Sequence, residues 1–161
     1  MAAKRRTAPE APADARAIRA AAITLLARRD YLAAELEAQL LERGYESAAV
    51  AAVLAELREE RLLDDARVVE RYVAFRSGRG QGPVRIAADL AALGASRELI
   101  DAALASGPDW RSLAREVRQR RFGSAPPGTW AEKARQARFL QYRGFSSDHI
   151  RAATDADFDP D

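Results

Sequence analysis

Apolar residues recur along this chain at helical spacing. Val50, Val53, Leu54 and Leu57 follow the i, i+3, i+4, i+7 order that forms the apolar stripe of an amphipathic helix. No segment shows the strict alternation of apolar and polar residues that is typical of a half-buried strand. The pattern therefore predicts an all-α protein.

Three glycines, placed fifty residues apart, divide this pattern into similar parts. The segments around Gly44, Gly94 and Gly144 align without gaps as QLLERGYESAAVAAVL, DLAALGASRELIDAAL and FLQYRGFSSDHIRAAT. A fixed period of this length indicates stacked supersecondary units. Each glycine is suited to end a helix, because it adopts the left-handed backbone conformation without penalty.

Capping residues mark the starts of the helices. Ser96 and Ser146 are good N-cap candidates after their glycines, whereas Glu46 or Ser47 is a weaker choice in the first unit. Asp64 is a further candidate, and residues 129–132 (TWAE) have the form of a capping box. In the helix after Asp64, we expect the inward-facing residues to be Val68, Tyr72 and Phe75. In the helix after Asp109, we expect them to be Trp110, Leu113 and Val117.

The pattern predicts about nine helices, three in each unit. One unit of this size has a small core, so neighbouring units must stack to bury enough apolar surface. We expect an elongated, curved array of three tandem three-helix repeats with a long concave side. The predicted parts are a flexible basic tail at 1–14, repeats at 15–60, 61–107 and 108–154, and an acidic tail at 155–161.

The amino-acid composition indicates the cellular compartment in which the protein works. The chain has no cysteine, which excludes disulfides, thiolate metal sites and cysteine nucleophiles and fits a reducing cytoplasm. No stretch approaches the length of a membrane span, and the basic start is not followed by an apolar segment of the secretory type. These features predict a cytoplasmic protein without a membrane anchor.

Charge is distributed unevenly, although the net charge is only +2. Residues 15–66 carry −3, residues 67–100 carry +3, residues 101–154 carry +5, and the last seven residues carry −4. The cations are almost all arginines, which bind carboxylates and phosphates in bidentate fashion. The codon bias of a GC-rich genome explains part of this arginine content, and the surplus favours a polyanionic partner.

The sequence offers little for catalysis. The single histidine, His149, has no evident nucleophile or orienting partner, so a surface histidine is the better interpretation. Helix capping explains Asp64 more simply than metal binding does. We therefore expect no enzyme activity, no metal and no cofactor.

The segment RSGRGQGPVR at residues 76–85 is the most unusual part of the chain. It could cradle a phosphate at a helix N-terminus, but it lacks the GK[ST] ending of a nucleotide-binding P-loop. Two interpretations stay open: an ordinary helix–helix turn with solvated arginines, and a contact site for phosphate or an acidic protein. A second arginine-rich stretch, with Arg115 and Arg118 and then Lys133 and Arg138, is open to the same two interpretations.

Five motifs in order resemble the RecX regulatory protein family. They are RRDY at 28–31 followed by AEL at 34–36, LLDD at 62–65 with Arg67 and Tyr72 after it, GQGPVRI at 80–86, RRFG at 120–123, and KARQARFLQYRGFS at 133–146. The resemblance runs from about residue 17 to residue 154. The 80–86 segment departs from the family's pattern, with Gln81 and Val84 where relatives carry basic or aromatic residues.

The resemblance implies a monomeric, non-enzymatic regulator that binds the RecA recombinase in the groove of its filament on DNA. It implies inhibition of the ATPase, coprotease and strand-exchange activities of RecA, and so a role in recombination, DNA repair and the SOS response. The residues that we expect to contact the filament or DNA are Arg67, Arg71, Arg76, Arg79, Gly80, Gly82, Pro83, Arg85, Arg115, Arg118, Lys133 and Arg138. The alternatives are a direct single-stranded DNA-binding protein, with Tyr142 and Trp130 as stacking platforms, and a scaffold for an unrelated partner.

Overall fold

The computed structural model describes residues 11–155, and within that range the chain forms nine α-helices and no strand. The predicted all-α class is confirmed. Residues 1–10 and 156–161, which hold most of the two predicted tails, lie outside the described residues, and the first helix begins at Ala11. The helices are α1 (Ala11–Leu26), α2 (Ala33–Glu42), α3 (Ser47–Glu59), α4 (Asp65–Gly78), α5 (Pro83–Ala92), α6 (Arg97–Ala105), α7 (Trp110–Phe122), α8 (Trp130–Arg143) and α9 (Ser147–Asp155).

The chain divides between Val68 and Val69 into two compact units. In the first unit, α1, α2 and α3 pack against one another around a core of aliphatic side chains. The predicted stripe of α3 is confirmed, because all four of its residues, from Val50 to Leu57, are buried. Ile18 and Leu36 complete the centre of this core, each with no exposed surface.

Polar contacts fix the ends of the first unit's helices. Glu46 is the N-cap of α3 and accepts hydrogen bonds from the amides of Ala48 and Ala49, so Glu46 rather than Ser47 is the cap in this unit. The amide of Ala33 donates to the Asp65 carboxylate at 2.8 Å. This bond ties the start of α2 to the start of α4 within the unit.

In the second unit, α7, α8 and α9 pack against one another, and α5 packs on α6. Val117, Leu140 and Phe145 are buried in the first group, and Ile86 and Leu90 are buried on α5. The apolar stripes on these short helices thus face neighbouring helices, as the spacing of their residues requires.

The predicted helix ends are confirmed. Gly44, Gly94 and Gly144 have φ values of 91°, 92° and 96°, in the left-handed region that glycine adopts most readily. Ser96 accepts from the amide of Leu99, and Thr129 accepts from the amide of Glu132. The capping box is completed differently from expectation: the Glu132 carboxylate accepts from the amide of Gly128 at 2.7 Å.

The inward face of α4 differs from the prediction. Phe75 is 60% exposed, whereas Val69, Val73 and Ser77 are buried. The helix carries two adjacent apolar stripes, and spacing alone cannot choose between them. The buried stripe is the one with small side chains, which allow closer packing of a helix than large rings do.

Candidate functional site

The connection between α4 and α5 is a tight turn that sets the position of several arginines. The amide of Gly80 donates to the carbonyl of Ser77 at 2.9 Å, and the amide of Gln81 donates to that of Arg76 at 3.1 Å. Gly80 has a φ of 81°, a conformation that suits glycine. Pro83 then occupies the first turn of α5, where its missing N–H costs nothing.

The N-terminus of α5 docks on the turn between α8 and α9. The amide of Gly82 donates to the carbonyl of Arg143 at 2.8 Å, and the amide of Val84 donates to that of Gly144 at 2.9 Å. These are the amides that a phosphate-cradling loop would direct at its ligand. Because carbonyls of the same chain already accept from them, the backbone of this turn is not an anion cradle.

The arginine side chains beside this turn lie over aromatic rings. The guanidinium of Arg79 is 5.4 Å from the centre of the Phe75 ring, and that of Arg85 is 5.9 Å from the Tyr142 ring. Cation–π attraction at such distances holds a guanidinium in place without consuming its N–H donors. Tyr142 is 77% exposed, in agreement with the expectation that it lies outside the core.

Arg76 is more enclosed than its neighbours. It is half-buried, and its guanidinium is 5.0 Å from the centre of the Tyr72 ring. The Tyr72 hydroxyl is 3.5 Å from a carboxylate oxygen of Asp89, and burial raises the pKa of that hydroxyl, so it stays a neutral donor. The α4–α5 face is the surface formed by Arg76, Arg79, Arg85, Phe75 and Tyr142.

Three other predicted contacts are found in different settings. Arg71 is exposed on α4. Arg67 lies in the first unit, half-buried in the first turn of the same helix, with a buried Nε that has no hydrogen-bond partner. Arg115 donates from Nε to the carbonyl of Ala152 at 3.2 Å, which links α7 to α9.

Arg118 is an interior residue rather than a surface contact. It is 3% exposed, and its guanidinium donates to the carbonyl of Ala125 at 3.1 Å and to the Gln136 side-chain oxygen at 3.4 Å. The sequence placed it in a run of surface arginines, but its position on α7 turns it toward α8. It is therefore left out of the contact surface.

Lys133 and Arg138 line a groove of about 450 Å³ along α8 and α9. Trp130 stands at the same groove and is 80% exposed, as expected for an aromatic residue outside the core. Arg151 adds another cation. This groove is separate in its lining from the α4–α5 face.

Three arginines outside the predicted contact set gather near Arg79. Arg120 and Arg121 from the end of α7 and Arg143 from the end of α8 line a cleft of about 220 Å³ with it. The run of arginines in α7 was visible in the sequence. The arginines at the end of α7 lie near Arg79 and Arg143 because of the way three helices pack. A sequence motif does not predict that packing.

His149 caps the last helix. Its Nδ1 accepts from the amide of Ser146 at 3.4 Å, and its own amide donates to the Ser146 hydroxyl at 3.4 Å. Burial lowers the pKa of the imidazole, and the positive charge of Arg111 lowers it further. A neutral imidazole that accepts a backbone amide is a structural cap and not a poised general base.

Neither a metal cluster nor a membrane span is found in the part of the chain that the structure describes. Within residues 11–155 there is no group of three or more histidine and carboxylate residues that could hold a metal ion. None of the helices in that range is both long enough and apolar enough to cross a bilayer.

The fold and this surface define an all-helical protein of repeated three-helix modules with an arginine-rich, aromatic face. Family models for the first, second and third three-helix domains of RecX match residues 19–57, 64–104 and 110–154. The chain belongs to the RecX regulatory protein family.

Known proteins support this assignment. The chain is 47% identical to the regulatory protein RecX of Halorhodospira halophila, over 91% of this chain and 92% of that one. It is 44% identical to the regulatory protein RecX of Ectopseudomonas mendocina, over 83% and 90%. The crystal structure of RecX from Lactobacillus salivarius matches the fold with a TM-score of 0.80 at 18% identity, over 90% of this chain and 97% of that one.

Proposed function

We propose that this protein binds the RecA recombinase filament on DNA and inhibits its ATPase, coprotease and strand-exchange activities. Its role would be to limit recombination during DNA repair and the SOS response, in the cytoplasm, as a monomer without cofactor or catalysis. The observation that carries the proposal is the α4–α5 face, in a chain whose relatives are named regulatory proteins.

The α4–α5 face has the composition of a protein-binding surface. Arginine and aromatic residues are enriched where interfaces gain most of their binding energy. Phe75 and Tyr142 are mostly exposed, so a partner that covers them gains the free energy of apolar burial. Arg79 and Arg85 are held beside these rings, which lowers the entropy lost when they pair with carboxylates or phosphates.

The remaining predicted contacts are part of the same proposal. Arg71 adds a cation on α4, and Gly80, Gly82 and Pro83 set the turn that presents Arg85. Lys133 and Arg138 form a second contact group on the α8–α9 groove. Arg67 and Arg115 stay predicted contacts, although Arg115 already donates to Ala152.

Inhibition follows if the protein prefers one state of the filament. A ligand shifts a conformational equilibrium by its difference in affinity for the two states. A RecX-type protein that bridges adjacent recombinase subunits would favour the state in which it fits. Turnover of ATP requires the subunits to pass through other states, so the rate would fall as the protein saturates its sites.

The test is the rate of RecA ATP hydrolysis on single-stranded DNA with increasing amounts of this protein. We expect a dose-dependent decrease with the native chain. The double variant Arg85→Glu and Phe75→Gln removes one cation and one exposed ring, and we expect it to need at least about tenfold more protein for the same effect.

Arg97→Glu is the matched control. Arg97 is a highly exposed arginine on α6 whose side chain is 3.7 Å from Asp101, and it is not one of the residues that form the α4–α5 face. We expect this variant to inhibit like the native chain. A RecA ATPase rate that does not change with excess native protein would refute the proposal.

A further inference from the structure

The α8–α9 groove has a local excess of positive charge. Its cations are Lys133 and Arg138 from α8 and Arg151 from α9. Among the described residues, those that line the groove include no aspartate or glutamate. Arg151 has a carboxylate oxygen of Asp148 at 3.7 Å, but both side chains are largely exposed, so this pair is weak and screened by salt. The groove therefore attracts an anionic occupant.

The same groove presents apolar surface beside its cations. Phe145 is buried and Ile150 is half-buried, and both line the groove together with Ala134 and Ala137. Trp130 lies in the first turn of α8, at the groove, with 80% of its surface exposed. Covering so large a ring is favourable because it removes apolar surface from water. An occupant that combines carboxylates with an apolar side chain fits this lining.

The chain itself contains a segment of that composition. Residues 156–161, which follow α9, have the sequence ADFDPD. Three of these six residues are aspartates and one, Phe158, is aromatic. The segment thus matches the three cations of the groove in number and offers one ring to its apolar surface.

The segment begins at the groove. Thr154 lines the groove in the last turn of α9, and the helix ends one residue later at Asp155. The lining follows α9 over nearly its whole length, from Ser147 to Thr154. The nine residues of α9 are about 14 Å long, whereas six extended residues span about 20 Å. The segment is therefore long enough to cover the groove without a linker.

We propose that residues 156–161 fold back into the α8–α9 groove of their own chain, with Phe158 against Trp130 and the aspartates paired with the cations of the groove. In an extended segment, alternate side chains point to opposite faces, so the three aspartates share one face and Phe158 lies on the other. Attachment to the same chain gives the segment an effective concentration in the mM range. Even a contact that is weak between separate molecules is then occupied in much of the protein.

Docking of the segment blocks the groove. This consequence rests on the function proposed above, in which Lys133 and Arg138 contact the recombinase filament. The filament must displace the segment before it reaches these cations. Its apparent affinity at the groove falls in proportion to the fraction of molecules in which the groove is open. The segment is thus an autoinhibitory contact.

The indole N–H signal of Trp130 in a proton–nitrogen correlation NMR spectrum tests the docking. The chain has two tryptophans, and the other, Trp110, donates its indole N–H to the carbonyl of Leu104 at 3.0 Å, so its signal is an internal reference. In a chain shortened to end at Asp155, we expect the Trp130 signal to shift and the Trp110 signal to stay in place. Phe158→Ser, which changes no charge, should shift the Trp130 signal in the same direction.

Charge variants test the ion pairs. Asparagine in place of the three aspartates of the segment should move the Trp130 signal toward its position in the shortened chain. Arg138→Gln with Arg151→Gln should do the same, because it removes the other side of the pairing. The matched control replaces three exposed carboxylates of α2, α3 and α6 by glutamine and should leave the signal at its native position. These changes are Glu42→Gln, Glu59→Gln and Glu98→Gln.

Three results would overturn the docking. The first is a Trp130 signal that is the same in the native and the shortened chain. The second is an equal shift in the control and in the segment variants, which would reveal a general effect of charge. The third is a native signal that moves with protein concentration, which would place the segment in the groove of a second copy. Thermal unfolding followed by circular dichroism checks that every variant stays folded.

The blocking role is tested by RecA ATP hydrolysis on single-stranded DNA. If the segment covers the groove in about half to nine-tenths of the molecules, the shortened chain should reach the same inhibition at about two- to tenfold lower concentration. Docking in the NMR spectrum without any change in inhibition would refute the autoinhibitory role and the contact at Lys133 and Arg138. Absence of inhibition by both the native and the shortened chain would refute the proposed function, whereas the NMR result would still decide the docking.

Discussion

The backbone of Gly82 lies directly against the backbone of Gly144, too close for a β-carbon on Gly82. Hydrogen bonds from Gly82 to Arg143 and from Val84 to Gly144 flank this contact. The residues belong to segments matched by different family domains, the second and the third. Two glycines sixty-two residues apart thus join α5 to the α8–α9 turn within the second unit.

This contact predicts that Gly82→Ala destabilises the protein. The added methyl group would overlap the carbonyl of Gly144, and the turn can move away only by losing its two hydrogen bonds. We expect a loss of about 1–3 kcal/mol in the free energy of unfolding, measured by urea denaturation.

Gly78→Ala is the control for that change. A β-carbon at Gly78 meets nothing within 4 Å, and the residue ends helix α4. The free energy of unfolding of the Gly78→Ala variant should equal or slightly exceed that of the native chain, because alanine favours a helix over glycine by up to about 1 kcal/mol. Equal losses at both positions would contradict the close contact.

Arg118 provides the second prediction, which concerns stability rather than binding. Arg118→Ala removes a buried side chain and leaves the Ala125 carbonyl and the Gln136 oxygen without their donor. We expect a loss of about 2–4 kcal/mol in the free energy of unfolding. Arg118→Met, which keeps most of the volume, should cost less than Arg118→Ala.

The variants Arg118→Ala and Arg118→Met also distinguish a role of Arg118 in packing from a role of its charge in binding. If both Arg118 variants unfold at the native urea midpoint and instead lose affinity for nucleic acid or for the recombinase filament, then the guanidinium acts at the surface. Arg115→Ala serves as an exposed comparison on the same helix, and we expect it to cost no more than about 1 kcal/mol.

The third prediction tests which stripe of α4 is buried. Phe75→Gln should change the free energy of unfolding by less than about 0.5 kcal/mol, because most of the ring is exposed. Val73→Ala on the buried stripe should cost about 1–3 kcal/mol despite removing less side chain. The reverse order, measured by urea denaturation, would restore the face expected from the sequence.

These cases show where sequence patterns suffice and where they fail. The turns at Gly44, Gly94 and Gly144 and the cap at Ser96 are local, so spacing and backbone preference predict them. The exposed ring of Phe75 depends on how α4 packs, because periodicity offers two equivalent stripes. The same limit applies to the arginines, whose exposure cannot be read from a run of charges.

The cleft lined by Arg79, Arg121 and Arg143 illustrates the limit most clearly. Arg79 was identified from an unusual loop, whereas Arg121 and Arg143 belong to arginine-rich stretches that a solvated helix face also explains. Their common site arises because α5 docks on the α8–α9 turn and so brings the end of α4 near the ends of α7 and α8. A contact between residues far apart in sequence leaves no periodic signal in a single chain.

The fourth prediction is a dependence of stability on pH that comes from His149, the one histidine of the sequence. In the folded protein, burial and the nearby charge of Arg111 lower the pKa of the imidazole, and the charges of Asp148 and Asp109 oppose that shift without reversing it. The neutral ring accepts the amide of Ser146 at Nδ1, which a protonated ring cannot do.

In the unfolded chain the imidazole should titrate near its ordinary value of about 6.5. The unfolded state therefore binds more protons than the folded state as the pH falls through that value. Since stability decreases wherever the unfolded state binds more protons on acidification, the free energy of unfolding should be constant above about pH 7.5 and fall between about pH 7 and pH 5.5.

Urea midpoints measured across this range test the prediction, and His149→Asn is the control. The asparagine side-chain oxygen can accept from the Ser146 amide in place of Nδ1, and it does not titrate. The variant should keep the cap at high pH and lose most of the decrease between about pH 7 and pH 5.5, where carboxylates are still largely ionised. An equal decrease in the native chain and the variant would show that other groups cause it and that the imidazole is not perturbed by folding.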